Sequence, residues 1–275
     1  MYNVINKIAI GLLLASSLVA CTDKDKEGAQ ELFTKSEAAI ASKDYQGALV
    51  FLDTLNSRYA SQTAIRRDAL RLRAQAMESM ALDSISVSDK DLAEATIRVQ
   101  EWAPRFRHVD SSVGLEGYFL PKGINEKMMT KSGIQARVSD KGFFYIVANV
   151  QGRSIGLKSI ELIDGADRVS SAEISPARII KVEGSESASF NPEDLEALGP
   201  WLRNHSKPSR LILVGSKGTV DVKLTAEQGA ELLDCYEYSM ALQAQRRASI
   251  RREKFERMLA TARDQLANLP QKAAE

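Results

Sequence analysis

The sequence predicts an α+β protein. N-terminal helical hairpins and a long C-terminal helix form one helical part, and a mainly antiparallel β domain is inserted between them. Three observations predict this. Apolar residues recur at three- and four-residue steps up to about residue 103. From there to Leu224 the period falls to two, and Gly, Asp and Asn punctuate short runs. After Thr225 the helical spacing returns and holds to Leu269, with one Gly and no Pro. The expected boundaries are a signal at 1–20, a tether at 21–28, a helical region at 29–108, a β-rich domain with one short helix at 112–225, and the long helix at 226–269.

Composition narrows the function classes. The chain has 275 residues, 44% hydrophobic and 27% charged, which excludes wholesale disorder and a multispanning membrane protein. Lys plus Arg is 37 and Asp plus Glu is 36, so no global charge attracts nucleic acid. Cys21 belongs to the N-terminal signal, which leaves His108, His205 and Cys235, too few soft ligands for the usual zinc or iron–sulfur site. No metal or cofactor is expected.

The first element is an export signal. Lys7 supplies the positive charge, and Ile8 to Val19 is apolar apart from Gly11, Ser16 and Ser17. That run of about 12 residues, roughly 18 Å as a helix, is short of the ~30 Å hydrocarbon core, so it reads as a signal-peptide segment and not a span. It ends in Leu18-Val19-Ala20-Cys21, which resembles the lipoprotein signal of bacteria. The resemblance implies cleavage before Cys21 and acylation of its thiol, hence a palmitate-type membrane anchor; two or more acyl chains hold stably. The polar run Thr22 to Lys26 follows. Its Asp23 and Asp25 alternate with Lys24 and Lys26, unlike the continuous acidic cluster that resembles a surface-export signal in Bacteroidetes. The expected location is therefore the periplasmic face of the outer membrane, with surface display as the alternative.

Helices come next. Leu32, Ser36, Ala39 and Lys43 share a stripe, Asp44-Tyr45 marks a turn, and Ala48, Leu52, Leu55 and Tyr59 form the apolar face of a second helix. A third carries Ile65, Ala69, Leu72, Ala76 and Met80. Ser88 to Asp91 offer N-caps for a fourth, with Leu92, Ala95, Val99 and Trp102 on its face and Pro104 at its end. Residues 32–59 resemble one tetratricopeptide unit, with Ser36, Ala39 and Ala48 at its small positions and Ala60 in place of its usual Pro; a generic helical hairpin is the other reading. A solenoid needs about three such units, so this one must pack on something else.

The strand candidates are 114–121, 133–138, 143–149, 159–163, 168–173, 178–182, 211–214 and 220–224, with turns at Asp140-Lys141-Gly142, Asp164-Gly165 and Gly215 to Gly218. Asn191-Pro192-Glu193-Asp194 opens a short helix to about Asn204, with Leu195, Leu198 and Leu202 inward. Thr225 and Gln228 form a capping box for the last helix. Its expected stripe is Leu233, Met240, Ala244, Phe255, Met258, Ala262 and Leu266, interrupted by Arg247 and Arg251. Packing this helix on residues 29–103 would cover both apolar faces. The lipoprotein box, the Asp-Tyr hairpin, Glu116-Gly117-Tyr118 before a strand region and the long last helix resemble, in this order, a group of Bacteroidetes lipoproteins of unknown function. That resemblance implies location and architecture and brings no catalytic residues.

No nucleophile, base and orienter assemble from the sequence. Cys235 sits in a helix without a nearby His, as a structural thiol would. Ser216 belongs to a hairpin tip, His205 to a helix C-terminus, and His108 to a loop. No enzymatic activity is expected. Arg246, Arg247, Arg251 and Arg252 head a basic block that reads either as a contact for lipid headgroups, acidic glycan or an acidic partner, or as a solvated face whose charge complements the helix dipole. Tyr118, Phe119, Phe143, Phe144, Tyr145 and Trp201 read either as a sugar-stacking platform or as core and cross-strand pairs. The expected function is a lipid-anchored accessory protein of the cell envelope that binds another envelope protein through its helical part. The alternative is glycan or peptidoglycan binding by the β region.

Overall fold

The computed structural model describes residues 23–110, 116–124, 130–182 and 184–269. Cys21, the box before it and Pro270 lie outside these residues. Among them are five α-helices: α1 (23–41), α2 (Tyr45–Arg58), α3 (Thr63–Trp102), α4 (Leu198–Asn204) and α5 (Ala226–Asn268). Two antiparallel sheets lie between α3 and α5 in the chain, so the predicted α+β architecture with an inserted β region holds. The chain divides into two compact units. One joins Met1–Lys90 to Ser249–Glu275, and the other is Asp91–Ala248.

The helical unit is built from small residues and a few leucines. Ala29, Leu52, Leu55 and Ala69 form its buried cluster, with Leu32, Phe33 and Tyr59 packed against it. Ser36, Ala39 and Ala48 are buried too. Asp44 caps α2 by accepting the Gly47 N–H at 3.0 Å. Lys43, expected on the α1 stripe, instead turns the chain at φ 63°. Its Nζ and the Tyr45 hydroxyl each donate to Asp83 on α3 at 2.9 Å, which fastens the α1–α2 corner. These two donors hold the exposed Asp83 carboxyl below the usual carboxylate range. Arg73 pairs with Asp53, and Arg66 donates to Asn56 at 2.9 Å, tying α2 to α3.

The third and fourth predicted helices are one. Ser88 is fully buried, and its hydroxyl donates back to the Ser84 carbonyl at 2.8 Å, so it is spent inside a helix and caps nothing. No Gly or Pro interrupts Thr63–Trp102. The predicted face of Ala69, Ala76 and Met80 is buried, and a second stripe accompanies it: Ala74, Ala81 and Ser88 are buried at seven-residue spacing. On α5, Ala262 is also fully buried. Arg252 pairs with Asp89 at 2.6 Å and Arg263 with Glu78 at 2.9 Å. The two pairs are the same number of residues apart on each helix, in opposite directions, so α3 and α5 run antiparallel through this unit.

Among its described residues the second unit carries ten strands: β1 (Phe106–Val109), β2 (Tyr118–Pro121), β3 (Gly133–Ser139), β4 (Phe144–Gln151), β5 (Leu157–Asp164), β6 (Asp167–Ser170), β7 (Ile179–Val182), β8 (Ser185–Phe190), β9 (Arg210–Gly215) and β10 (Gly218–Lys223). They form a six-stranded sheet ordered β1-β2-β3-β4-β8-β7 and a four-stranded sheet ordered β10-β9-β5-β6. Every pairing among them is antiparallel. Ile146 and Phe190 of the first sheet, Leu162 and Leu213 of the second, Leu198 of α4, and Leu232, Cys235 and Tyr238 of α5 share one core. The predicted capping box of α5 is present in both directions, Thr225 N–H to Gln228 at 2.9 Å and Gln228 N–H to the Thr225 hydroxyl at 3.2 Å.

Four expectations are corrected in this unit. His108 lies in strand β1, not a loop, and pairs with Phe119. Strand β8 had no counterpart in the apolar pattern because Glu186 occupies one of its inward positions. The short helix is split into a 3-10 turn at Pro192–Asp194 and α4. Asp194 causes the break: its carboxylate accepts the Asn191 N–H at 2.7 Å and both ends of Arg178, while its carbonyl accepts the Ala172 N–H at 2.8 Å. Finally, the inward face of α5 here is Leu232, Cys235, Tyr238 and Ser239, one step round from the expected Leu233 and Met240. Ser239 and Gln243 both donate to the Gly142 carbonyl, at 2.8 and 3.1 Å.

Glu186 is fully buried and takes four hydrogen bonds: the Ser154 hydroxyl at 2.6 Å and the N–H groups of Ile155, Gly156 and Leu157 at 3.0, 3.2 and 3.0 Å. Burial opposes its charge, but the Ser154 hydroxyl and the three amides outweigh it and hold the carboxyl below the usual range. The carboxylate thus organises the turn that enters β5. Gly215 completes this corner, since a Cβ there would lie 2.4 Å from the Ile155 carbonyl oxygen.

Candidate functional site

Among the described residues, each unit has a groove. The groove of the β unit encloses about 470 Å³. Its floor comes from the outward positions of neighbouring strands, Ser139 on β3, Tyr145 on β4 and Ser189 on β8. Outward residues alternate with core residues on each strand: Ser139 follows buried Val138, Tyr145 lies between buried Phe144 and Ile146, and Ser189 between buried Ala188 and Phe190. Phe143 stands at the rim, 41% exposed.

The two walls are braced. On one side Glu116 and Gly117 lead into β2. The Glu116 carboxylate accepts the Lys141 N–H and its Nζ, each at 3.1 Å, and the Gly117 carbonyl accepts the Asp140 N–H at 3.2 Å. His108 lies behind this wall, its Nε2 2.6 Å from Asp140 and its Nδ1 3.0 Å from Asp110. A side chain at position 117 would meet the imidazole and the Asp140 carboxylate, so one or both would have to shift. The other wall is Asn191-Pro192-Glu193, held by the Asp194–Arg178 fork. Arg137 lies across the sheet from Tyr145 and sits 4.3 Å over the Tyr118 ring. Burial pushes the Tyr145 phenol up, against the opposing pull of Arg137.

The groove of the helical unit encloses about 510 Å³ between α3 and α5. Leu70 and Arg73 line one side, and Thr261, Asp264 and Gln265 the other. Leu70 is 48% exposed.

The residues singled out by the sequence are only partly brought together. Of the aromatic set, Phe143 and Tyr145 share the β-unit groove. Phe119 stands edge-on to Tyr238 at 5.5 Å and Phe144 to Tyr236 at 5.9 Å, so these two serve packing. Trp201 stacks on His205 at 4.2 Å, where His205 caps α4 and reaches Asp167 at 3.3 Å. Cys235 is fully buried, and burial pushes its thiol well up, which suits packing and not nucleophilic attack. Ser216 sits at the β9–β10 hairpin tip, as expected. Arg246 and Arg247 belong to the β unit, while Arg251 and Arg252 belong to the helical unit. Arg247 donates to Gln243 at 3.4 Å, and Arg252 is engaged by Asp89 and Glu256. Glu116 and Glu193 escaped sequence reasoning as groove residues, because their approach depends on strand order and not on spacing.

Among the described residues no group of three or more His, Cys, Asp or Glu is placed to hold a metal, and no helix is long and apolar enough to cross a membrane. No protein-family model, curated protein or solved structure matches this chain.

Proposed function

We propose that this is a lipid-anchored accessory protein of the cell envelope, held through Cys21, that works by binding another envelope protein and not by catalysis. The observation that carries the binding is the groove of the helical unit. Leu70 offers an apolar anchor there, and Arg73, Asp264 and Gln265 frame it with polar groups. An apolar centre with a polar rim is the usual anatomy of a protein contact. The resemblance to Bacteroidetes lipoproteins supports the envelope location, most simply the periplasmic face of the outer membrane.

Two experiments test this. A photo-crosslinking residue at position 70 should trap one discrete partner in intact cells, and Leu70→Glu should abolish co-purification of that partner. Because Leu70 is half exposed, this change should alter stability by no more than about 0.5 kcal/mol. The same adduct from position 97, in the other unit, would reject the groove as the contact. For the anchor, Cys21→Ser should leave the chain unprocessed or release it from membranes. Mass spectrometry that finds an unmodified Cys21 in the mature chain would reject lipidation.

A further inference from the structure

We infer that the groove of the β unit is a binding site for an uncharged saccharide, with Phe143 as its stacking platform and Glu116, Asn191 and Glu193 as its hydrogen-bonding walls. This stands independently of the helical-unit reading.

Size comes first. A volume of about 470 Å³ falls within the range of small-ligand sites. It is walled by Glu116-Gly117 on one side and Asn191-Pro192-Glu193 on the other.

The chemistry of the lining selects the ligand. Phe143 keeps a large apolar ring in water at the rim, although the turn before it is closed by the Gly142 N–H to the Ser139 carbonyl at 2.8 Å and could display a polar residue equally well. The C–H face of a pyranose covers such a ring. Around it the groove offers two carboxylates, two serine hydroxyls, the Tyr145 phenol and the Asn191 amide. The carboxylates only accept, while the hydroxyls and the amide both donate and accept, so a matching ligand carries an apolar face and hydrogen-bonding groups of both kinds, as a sugar does.

Charge decides between a sugar and a cation. Glu116 is met by Lys141 at 3.1 Å, and Glu193 lies within the field of Arg178, which is itself forked on Asp194. Arg137 adds a positive charge beside Tyr145. Each carboxylate thus has a cation near it, which weakens its attraction for an amine.

Preorganisation is the third support. Both walls are fixed by bonds that exist without a ligand: Lys141 on Glu116 on one side, and on the other the capping box and the Arg178 fork behind Asn191 to Glu193. Binding orders little that is not already ordered.

The test is calorimetric titration of the full-length chain with N,N′-diacetylchitobiose, cellobiose and maltose, with spermidine as the cationic probe. At least one disaccharide should bind at millimolar concentration or below. Phe143→Ala should weaken it about tenfold or more, as loss of a stacking anchor does, and Phe143→Tyr should preserve it. Glu193→Gln is a second variant, on an exposed residue, and should weaken binding several-fold. Leu70→Glu should leave saccharide binding unchanged, so failure of the helical-unit reading and of this one are separable. Absence of heat from all three disaccharides, binding of spermidine alone, or undiminished saccharide binding by both Phe143→Ala and Glu193→Gln would overturn the inference.

Discussion

Glu186→Gln should destabilise the β unit by about 3 kcal/mol or more at neutral pH. The carboxylate accepts from three backbone N–H groups and one hydroxyl with no exposure to water. An amide of the same shape keeps one oxygen but turns an NH₂ group toward donors, leaving at least one buried N–H unsatisfied. The native state should also be acid-labile. The folded carboxyl sits below its unfolded value of about 4.3, so its contribution is complete above that value and is lost as pH falls through the folded one. Urea melts between neutral and acidic pH should therefore show stability falling in the native chain and a flatter acid limb in Glu186→Gln. Equal slopes in the two proteins would mean that other carboxylates govern acid unfolding.

Truncation after Thr225 should unfold both units. Removal of α5 takes Ala262 and the Arg263 and Arg252 pairs from the helical unit, and Leu232, Cys235 and Tyr238 from the β core. At roughly 1.5–3 kcal/mol for each large buried side chain, the loss from the β core alone rivals the 5–15 kcal/mol that holds an ordinary domain folded. Residues 112–225 in isolation should likewise fail to fold, because Phe106, Leu232 and Tyr238 lie outside them. A β unit spanning 91–248 should retain cooperative melting. Circular dichroism and hydrogen exchange on the three chains would decide, and native-like protection of β3, β4 and β8 without α5 would contradict this assignment of the core.

Periodicity made most of the architecture legible. The α2 face of Ala48, Leu52 and Leu55, the capping box at Thr225 and the β9–β10 hairpin follow from local rules that tertiary structure did not override. The losses have a common cause. Strand β8 was hidden because a carboxylate sits where an apolar residue belongs, and that carboxylate is stable only because a loop thirty residues earlier brings its amides. The break at Asp194 was hidden because a side chain that caps locally also grips Arg178. The second stripe on α3 was hidden because Ala and Ser carry little weight in an apolar scan, although Ala74, Ala81 and Ser88 are all buried. The grooves were least legible of all, since Glu116, Ser139, Ser189 and Glu193 meet only through the strand order β2-β3-β4-β8.

The helical unit is made from two segments far apart in sequence, and this sets the order in which it can be completed. The fastenings of α1 and α2 to α3 are local and can form once α3 is made. The bond from Arg263 to Glu78 closes a separation of 185 residues. Contacts of that range form late, because loop closure must precede them. During that interval Glu78 and Asp89 of α3 wait for Arg263 and Arg252 of α5. The last helix is thus the latch of this unit: a chain that stalls or is clipped before α5 leaves the helical unit without Ala262 and without its two long-range ion pairs.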